Sequence, residues 1–255
     1  MTDTTTRIGT VPWSDLTGGN LSRAETRRLL APLARAHAVN AIGRTAMTLR
    51  MHPGRRARVP EGALCTPTSV LAKAAQQVAE QRLTPTMLNH SYRCYSYGVA
   101  IAALEDVDVD RELLFAAAML HDTGLSAPVP GVDFTVASAR TALEVAETVG
   151  LSTAATRTVR TAITLHHSPD VTLADGPEAY VLSAAAAVDV IGLGRWKLPD
   201  SVVDAVLVEW PRRGFKDEFR ARWAAEAAAV PRGRARFVRR YGAFDLAVRL
   251  APYSD

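Results

Sequence analysis

Histidine and aspartate side chains lie at positions where helical periodicity predicts a hydrophobic surface. His90, His121 and His166 each stand four and seven residues from hydrophobic residues of the same predicted helix, and Asp189 follows Leu182 by seven. An isolated carboxylate buried in such a helix costs several kcal/mol, so Asp189 must be paired, protonated or bound to a cation. These residues indicate a polar site inside an otherwise apolar core.

A divalent metal ion would satisfy these groups together. Asp122 directly follows His121 at the end of a predicted helix, and separate helices thus bring a histidine or a carboxylate to an inner face. No lysine and few arginines lie on those faces to pair with Asp189. Neutral imidazoles and carboxylates together suit zinc, iron or manganese. For each residue taken singly, the alternative stays open that it is a hydrogen-bonded core histidine, or an ion-paired or capping aspartate.

Helix-forming residues dominate the chain and strand-like alternation is rare, which predicts an all-α protein. A capping box of Ser22 and Glu25 opens a helix that Pro32 bends or breaks. Thr84 with Pro85 opens another. Capping and breaking residues place the later helices at 84–104, 110–121, 135–149, 152–166, from the turn at 175–178 to 191, 200–208, 214–229 and 234–249, with a loop at 51–66.

The charge of the chain is unevenly distributed. The formal net charge is +4, but residues 212–240 hold ten basic residues against three acidic ones, so the rest of the chain is mildly acidic. Phe215, Phe219 and Trp223 recur every four residues in this basic segment, a spacing typical of a buried helix face. We therefore expect a core-packed segment with an arginine-rich outer face, suited to a homo-oligomer contact, and no nucleic-acid partner.

The remaining composition excludes several classes of protein. Cys65 and Cys94 are the only cysteines, which argues against a disulfide framework or a thiolate zinc site. The first residues contain neither an apolar core nor a basic leader, and the apolar run at 181–194 is too short to span a bilayer. We expect a cytoplasmic protein with a small-molecule substrate and no membrane partner. The simplest division is an N-terminal helical extension at 1–80 and one helical domain at 81–255.

The segments that carry the polar residues resemble the HD-domain superfamily of metal-dependent proteins. They read NHSYRCY at 89–95, LLFAAAMLHDTGL at 113–125, LHHSP at 165–169, AAVDVIG at 186–192 and PRRGFKDEF at 211–219. Their order and spacing match the superfamily, and within it the chain looks like the cyanamide-hydratase-like branch. That branch often continues a Phe-x-Val segment with Asp-Gly-Ala, whereas Ala137 and Ser138 follow Val136 here.

The resemblance implies an HD-domain helical bundle with a metal site among its central helices, and basic C-terminal helices packed on it. The implied metal ligands are His90, His121, Asp122 and Asp189. They would hold one divalent ion, zinc in the first place, with iron or manganese as alternatives.

The function that this resemblance implies is that of a metal-dependent hydratase or hydrolase. It would add metal-activated water to a small nitrile-like, cyanamide-type or amide-like substrate. The predicted catalytic residues are Asp122 at the ion, His166 or its neighbour His167 for proton transfer or a further metal contact, and Asn89 for orienting the substrate.

Two other functions stay open. An HD phosphohydrolase or phosphodiesterase would use the same ligands on a nucleotide or another phosphate ester. Many such enzymes have a lysine shortly after the His-Asp doublet, whereas Thr123-Gly124-Leu125 follows here. A non-catalytic HD-fold binding protein is the third possibility, and the complete set of implied ligands argues against it.

Overall fold

The computed structural model describes residues 6–60 and 62–255. Within these ranges there is no β-strand, so the prediction of an all-α protein is confirmed. The α-helices of the described residues are α1 (Val11–Thr17), α2 (Arg23–Thr48), α3 (Val70–Arg82), α4 (Pro85–Glu105), α5 (Arg111–Leu120), α6 (Phe134–Val149), α7 (Thr153–Leu165), α8 (Pro177–Ile191), α9 (Asp200–Glu209), α10 (Phe215–Ala229), α11 (Arg234–Tyr241) and α12 (Phe244–Arg249).

Helix α4 lies at the centre of the bundle. Every residue from His90 to Ala102 is buried, so this helix presents no solvent face along that stretch. It packs most extensively against α8 and also contacts α5, while α7 closes the group by packing on α5, α6 and α8. The polar residues predicted for the site are carried by these central helices or by the turns that follow them.

Local capping explains where these helices begin and end. The Thr84 hydroxyl accepts the backbone N–H of Met87 at the start of α4, and the Asp110 carboxylate accepts two N–H groups at the start of α5. The Ser22–Glu25 capping box predicted for α2 is present. Gly150 and Gly192 end α6 and α8 in the left-handed conformation that glycine favours.

Three features differ from the prediction. Helix α2 continues unbroken through Pro32, although proline has no backbone N–H to donate to the preceding turn. The segment at 234–249 forms two helices, since Ala243 adopts a positive φ of 44° between them. Helices α1 and α3 lie in the N-terminal region, where no helix besides α2 was predicted.

The turn after α5 is held tightly against the start of α6. A Cβ atom on Gly124 would lie 2.2 Å from the backbone oxygen of Phe134, so only glycine fits at this approach. The Gly124 N–H also donates to the Ser138 hydroxyl. Ser138 is therefore a buried support for the turn that contains Asp122.

The basic C-terminal segment packs on the bundle as expected. Phe215, Phe219 and Trp223 are buried on one face of α10. The expected arginine-rich outer face needs a correction, because Arg212 and Arg234 are themselves 3% and 2% exposed and lie inside the protein.

Helix α2 reaches the rest of the protein mainly at its two ends. Leu29 and Leu33 pack with Phe237 of α11, and Gly43 lies directly against the Trp196 ring. Between these contacts most of its side chains are at least partly exposed. No helix within the two described ranges combines the length and hydropathy that a bilayer crossing requires.

Candidate metal centre

Three histidines and one aspartate converge at the inner end of a cavity. The Nε2 atoms of His90 and His121 are 3.3 Å apart, and each lies 3.4 Å from Oδ2 of Asp122. The Nε2 atom of His166 lies 3.6 Å from the other oxygen, Oδ1, of Asp122. All four side chains are at most 4% exposed.

The imidazoles of His121 and His166 are oriented by hydrogen bonds at Nδ1, the ring nitrogen that faces away from Asp122. Nδ1 of His121 lies 2.7 Å from the Ala118 carbonyl oxygen, and Nδ1 of His166 lies 2.7 Å from that of Ile163. A carbonyl can only accept, so each Nδ1 carries the proton. Each Nε2 therefore presents a lone pair to the shared space, as a metal-ligating histidine requires.

The residues present fit a divalent metal ion. Both carboxylate oxygens of Asp122 are buried, and neither has a hydrogen-bond partner among the described residues. Orphaned carboxylate oxygens of this kind are costly unless a cation satisfies them. Ligand atoms about 2.0–2.1 Å from a tetrahedral ion lie about 3.3–3.4 Å from one another, which is the spacing seen among His90, His121 and Asp122.

Cys94 is a further candidate donor, although the presence of only two cysteines argued against a thiolate zinc site. It lies one turn after His90 on α4, and its Sγ is 3.6 Å from Nε2 of that histidine. His90, Cys94 and His121 have donor atoms that lie within 4.8 Å of one another. Cys94 follows His90 by four residues, which places both on one face of the helix, and this spacing could have identified it.

Asp189 occupies a different place from the other predicted ligands. Its Oδ2 lies 2.7 Å from Nδ1 of His90, on the side of the ring that faces away from Asp122. Arg93 donates to both of its oxygens at 2.8 and 2.9 Å, and Arg212 donates to Oδ1 at 2.9 Å. Few arginines were expected on the inner faces, and the alternative that Asp189 is ion-paired is the one that the structure shows. The structure gives this carboxylate two buried arginine partners, and a direct contact with the ion stays a prediction.

The two arginines that pair with Asp189 lie on other elements than Asp189 itself. Arg93 lies on α4, one turn from His90, and Arg212 lies in the loop between α9 and α10. Arg212 also stacks over the Phe215 ring at 4.6 Å. The spacing of three residues on one helix could predict that Arg93 lies near His90. Arg212 lies in a loop, where helical periodicity predicts nothing about the direction of a side chain.

Charge and burial act on the pKa values in opposite directions. Burial alone would raise the pKa of Asp122, but His121 and His90 hold it well below its usual range. Asp189 is likewise held low, here by Arg93 and Arg212 against the effect of burial. Burial and the nearby His121 lower the pKa of His166 far below that of free histidine, so His166 is a neutral donor at pH 7.

At His90 and His121 the neighbouring groups outweigh the effect of burial on the pKa. Burial would lower the pKa of His90, but Cys94, the nearby Asp122 carboxylate and the hydrogen bond to Asp189 raise it well above the ordinary value. In the same way Asp122 and Cys94 raise the pKa of His121. The site therefore favours positive charge beside Asp122, which a divalent cation would supply in place of protons.

Of the other predicted catalytic residues, His167 lines the cavity and Asn89 does not. Asn89 does not line the cavity, and its side-chain amide donates to the Pro211 carbonyl at 2.8 Å. This placement links α4 to the following loop and does not support a contact with substrate. His167 does line the cavity, and neither of its ring nitrogens has a hydrogen-bond partner among the described residues.

A cavity of about 860 Å³ opens from the four donors toward solvent. Its walls come from α2, α8, α10, α11 and α12 and from the turn after α7. The loops at 51–66 and 126–134 contribute none of its described lining residues, whereas helix α2 forms part of its wall.

The comparisons with known proteins agree with this geometry. The family model of the HD domain matches residues 87–191, a span that contains all four donors and Asp189. HD-domain proteins bind divalent metals and are mostly metal-dependent hydrolases.

Two curated yeast proteins share a shorter segment with the chain. The cyanamide hydratases DDI2 and DDI3 of Saccharomyces cerevisiae are each 35% identical to it over 65 residues. That match covers 25% of this chain and 29% of the length of either relative. The His-Asp cluster on the central helices and the family match together identify residues 87–191 of this protein as an HD domain.

Proposed function

We propose that this protein is a metal-dependent hydratase or hydrolase that adds water to the carbon of a nitrile-like, cyanamide-type or amide-like group. The observation that carries the proposal is the cluster of His90, His121, Asp122 and His166 at the inner end of the cavity. The similarity to the yeast cyanamide hydratases supports the carbon–nitrogen substrate.

The donors divide into residues that would hold the ion and residues that orient them. His90, His121, Asp122 and His166 would hold one divalent ion, and Asp189 keeps the His90 ring turned so that Nε2 faces it. Such an ion supplies Lewis acidity and lowers the pKa of a bound water to roughly 7. All four side chains are buried, and the three histidines are held by hydrogen bonds at Nδ1, so they need little reorganisation to bind it.

Proton transfer requires a group that reaches the substrate but is not bound to the ion. We assign this role to His167, since it lines the cavity beside His166 and neither of its ring nitrogens has a hydrogen-bond partner among the described residues. Burial and the Arg234 charge lower its pKa, so it is neutral at pH 7 and able to accept a proton. In the hydration of cyanamide to urea, the water oxygen bonds to carbon and its protons end on nitrogen.

The cavity favours this substrate class over a phosphate ester. The buried arginines nearest the donors, Arg93 and Arg212, are engaged with Asp189. The remaining cations of the described lining, Arg35 and Lys197, are exposed at the outer end. A phosphate group at the ion would therefore meet no free buried arginine or lysine there.

Elemental analysis and an activity assay on the same purified sample test the proposal. We expect about one divalent ion per chain and conversion of cyanamide to urea, both lost in Asp122→Ala. Asp108→Ala, which removes an exposed carboxylate, is the matched control and should retain both. Two ions per chain with release of phosphate from nucleotides, and no urea, would establish the phosphohydrolase instead.

A further inference from the structure

The cavity is far larger than the smallest substrates of the proposed reaction require. Cyanamide has three heavy atoms, about the bulk of two water molecules at roughly 30 Å³ each. The cavity volume of about 860 Å³ lies near the upper end of the range, about 300–1,000 Å³, found for pockets that bind drug-sized molecules. A small substrate would occupy only its innermost part.

The walls beyond the donors are apolar. Phe219, Trp223 and Phe244 form one side, and Ala184, Ala187 and Val190 of α8 form another. The small side chains at 183, 184 and 187 keep α8 from filling the space, since a larger residue at any of them would project into it.

Charged groups are confined to the two ends of the cavity. At the inner end is Asp122 with its histidines, and at the outer end the exposed side chains of Arg35, Asp170 and Lys197. Between them the described lining contains no charged residue. An ionic substrate body would lose its hydration there without gaining a partner, whereas an apolar body would gain burial.

One polar group of the wall is buried and lacks a partner among the described residues. Asn40 of α2 is 8% exposed and lines the cavity, and its Oδ1 atom has no hydrogen-bond partner among the described residues. A buried amide oxygen of this kind loses about 1–3 kcal/mol unless a donor reaches it. It is suited to one hydroxyl or amide N–H on the bound molecule.

Helix α2 forms the roof of this cavity and is held at both ends. Near its first end, Leu33 is buried against α11. Near its second end, Gly43 allows the helix to approach the Trp196 ring closely, because a Cβ atom on Gly43 would lie 2.1 Å from that ring. The middle of the helix, with Ala36, Val39 and Asn40, covers the opening. These residues lie outside the HD domain at 87–191.

We propose that the cavity binds the apolar body of an uncharged substrate much larger than cyanamide, with α2 as the element that determines its size and shape. The reacting carbon–nitrogen group would lie at the donors, and a single hydrogen-bond donor would face Asn40. Only the identity of the reacting group rests on the proposed function. The recognition of an apolar body rests on the cavity itself.

A binding measurement that needs no turnover tests the inference. The uncharged dye N-phenyl-1-naphthylamine, whose fluorescence rises in apolar surroundings, is titrated into the full chain. We expect saturable binding that Ala187→Phe weakens at least tenfold, because the added ring fills the space beside α8. Ala154→Phe, the same change at an exposed position of α7, is the control and should bind as the unmodified chain does.

A second variant protects the test against misfolding. Val39 is 42% exposed on the roof, so Val39→Asp should fold, and its charge should weaken dye binding by about tenfold. Val208→Asp, at a valine that is 83% exposed on α9, is its control. Absence of saturable binding, or equal binding by both cavity variants and their controls, would overturn the inference.

Turnover of a homologous series separates this inference from the proposed function. With cyanamide and its N-ethyl, N-butyl and N-hexyl derivatives, kcat/KM should rise by up to roughly fourfold per buried methylene. Cavity-dependent dye binding without turnover of any member would support the apolar site and contradict the proposed reaction. Turnover of cyanamide with no gain along the series and no dye binding would support the reaction and overturn the apolar site.

Discussion

The Nδ1 atom of His90 on α4 lies 2.7 Å from Oδ2 of Asp189 on α8, and this hydrogen bond joins the two most extensively packed helices of the bundle. It assigns the proton to Nδ1 and leaves Nε2 of His90 turned toward Asp122. Arg93 and Arg212 hold the carboxylate in place from its other sides. The predicted ligand Asp189 is thereby positioned to orient a ligand.

Asp189→Asn tests this role. An amide can still accept at one atom, but it carries no charge, so we expect the metal dissociation constant to rise by about 10–100-fold without loss of the site. Competition with a chelator measures it. Because Arg93 and Arg212 lose their charged partner, we also expect the free energy of unfolding to fall by about 3–5 kcal/mol. A folded variant that retains no metal at all, like Asp122→Ala, would make Asp189 a direct ligand.

His166 and His167 are adjacent, and they offer a matched pair of substitutions. His166→Gln removes the Nε2 atom that faces Asp122, so the metal-to-chain ratio should fall sharply. His167→Gln removes a ring that faces the cavity and Asp133, so the metal should be retained while kcat falls by about 10²–10⁴-fold. Elemental analysis and steady-state kinetics on both proteins give the answer. Equal metal content in the two variants would contradict the assignment.

Arg234 supports the far side of the site. It is 2% exposed, donates to the Thr164 carbonyl and the Ser168 hydroxyl, and lies 3.4 Å from the buried Asp133 carboxylate. Arg234→Met leaves that carboxylate without its cation, and we expect the free energy of unfolding to fall by about 3–5 kcal/mol.

Chemical denaturation measures this loss of stability. Arg236→Met, on the exposed side of the same helix, is the control, with an expected change within about 0.5 kcal/mol. A similar small change for Arg234→Met would show that the buried pair is dispensable.

Glu226 predicts a pH dependence of stability. Burial and the nearby Asp133 raise its pKa from 4.5 to about 7, while its Oε1 accepts the Phe134 N–H. Between these pH values the folded state binds more protons than the unfolded state. The contribution of this group to stability is therefore full below about pH 4.5 and is lost as the pH rises through about 7.

Glu226→Gln keeps an oxygen acceptor and removes the ionisation. The stability of this variant relative to the unmodified chain should therefore increase between pH 5 and 8.5, by about 3 kcal/mol at most. Denaturation at the two pH values measures it, with the exposed Glu112→Gln as control. A difference that does not change with pH would show that Glu226 titrates normally.

Local signals in the sequence determined most of the helices. Thr84, Asp110 and Ser152 are capping residues whose effect depends on the next three residues, and the helices they open were predicted to within a few residues. Helical periodicity also placed His90 and Asp189 on inner faces, where both are buried. These are properties of single helices, and they do not depend on what the helix packs against.

Only the tertiary structure decided which groups meet. Periodicity assigns a side chain to a face but not to a partner, so it could not show that Asp189 pairs with Arg212, that His166 faces Asp122 or that Asn89 turns away to Pro211. It also left the N-terminal region without a role, because the covering of the cavity by α2 depends on contacts with residues about 150 to 200 positions later. Those contacts arise from packing between segments that are distant in the sequence, and the spacing of residues within one segment cannot predict them.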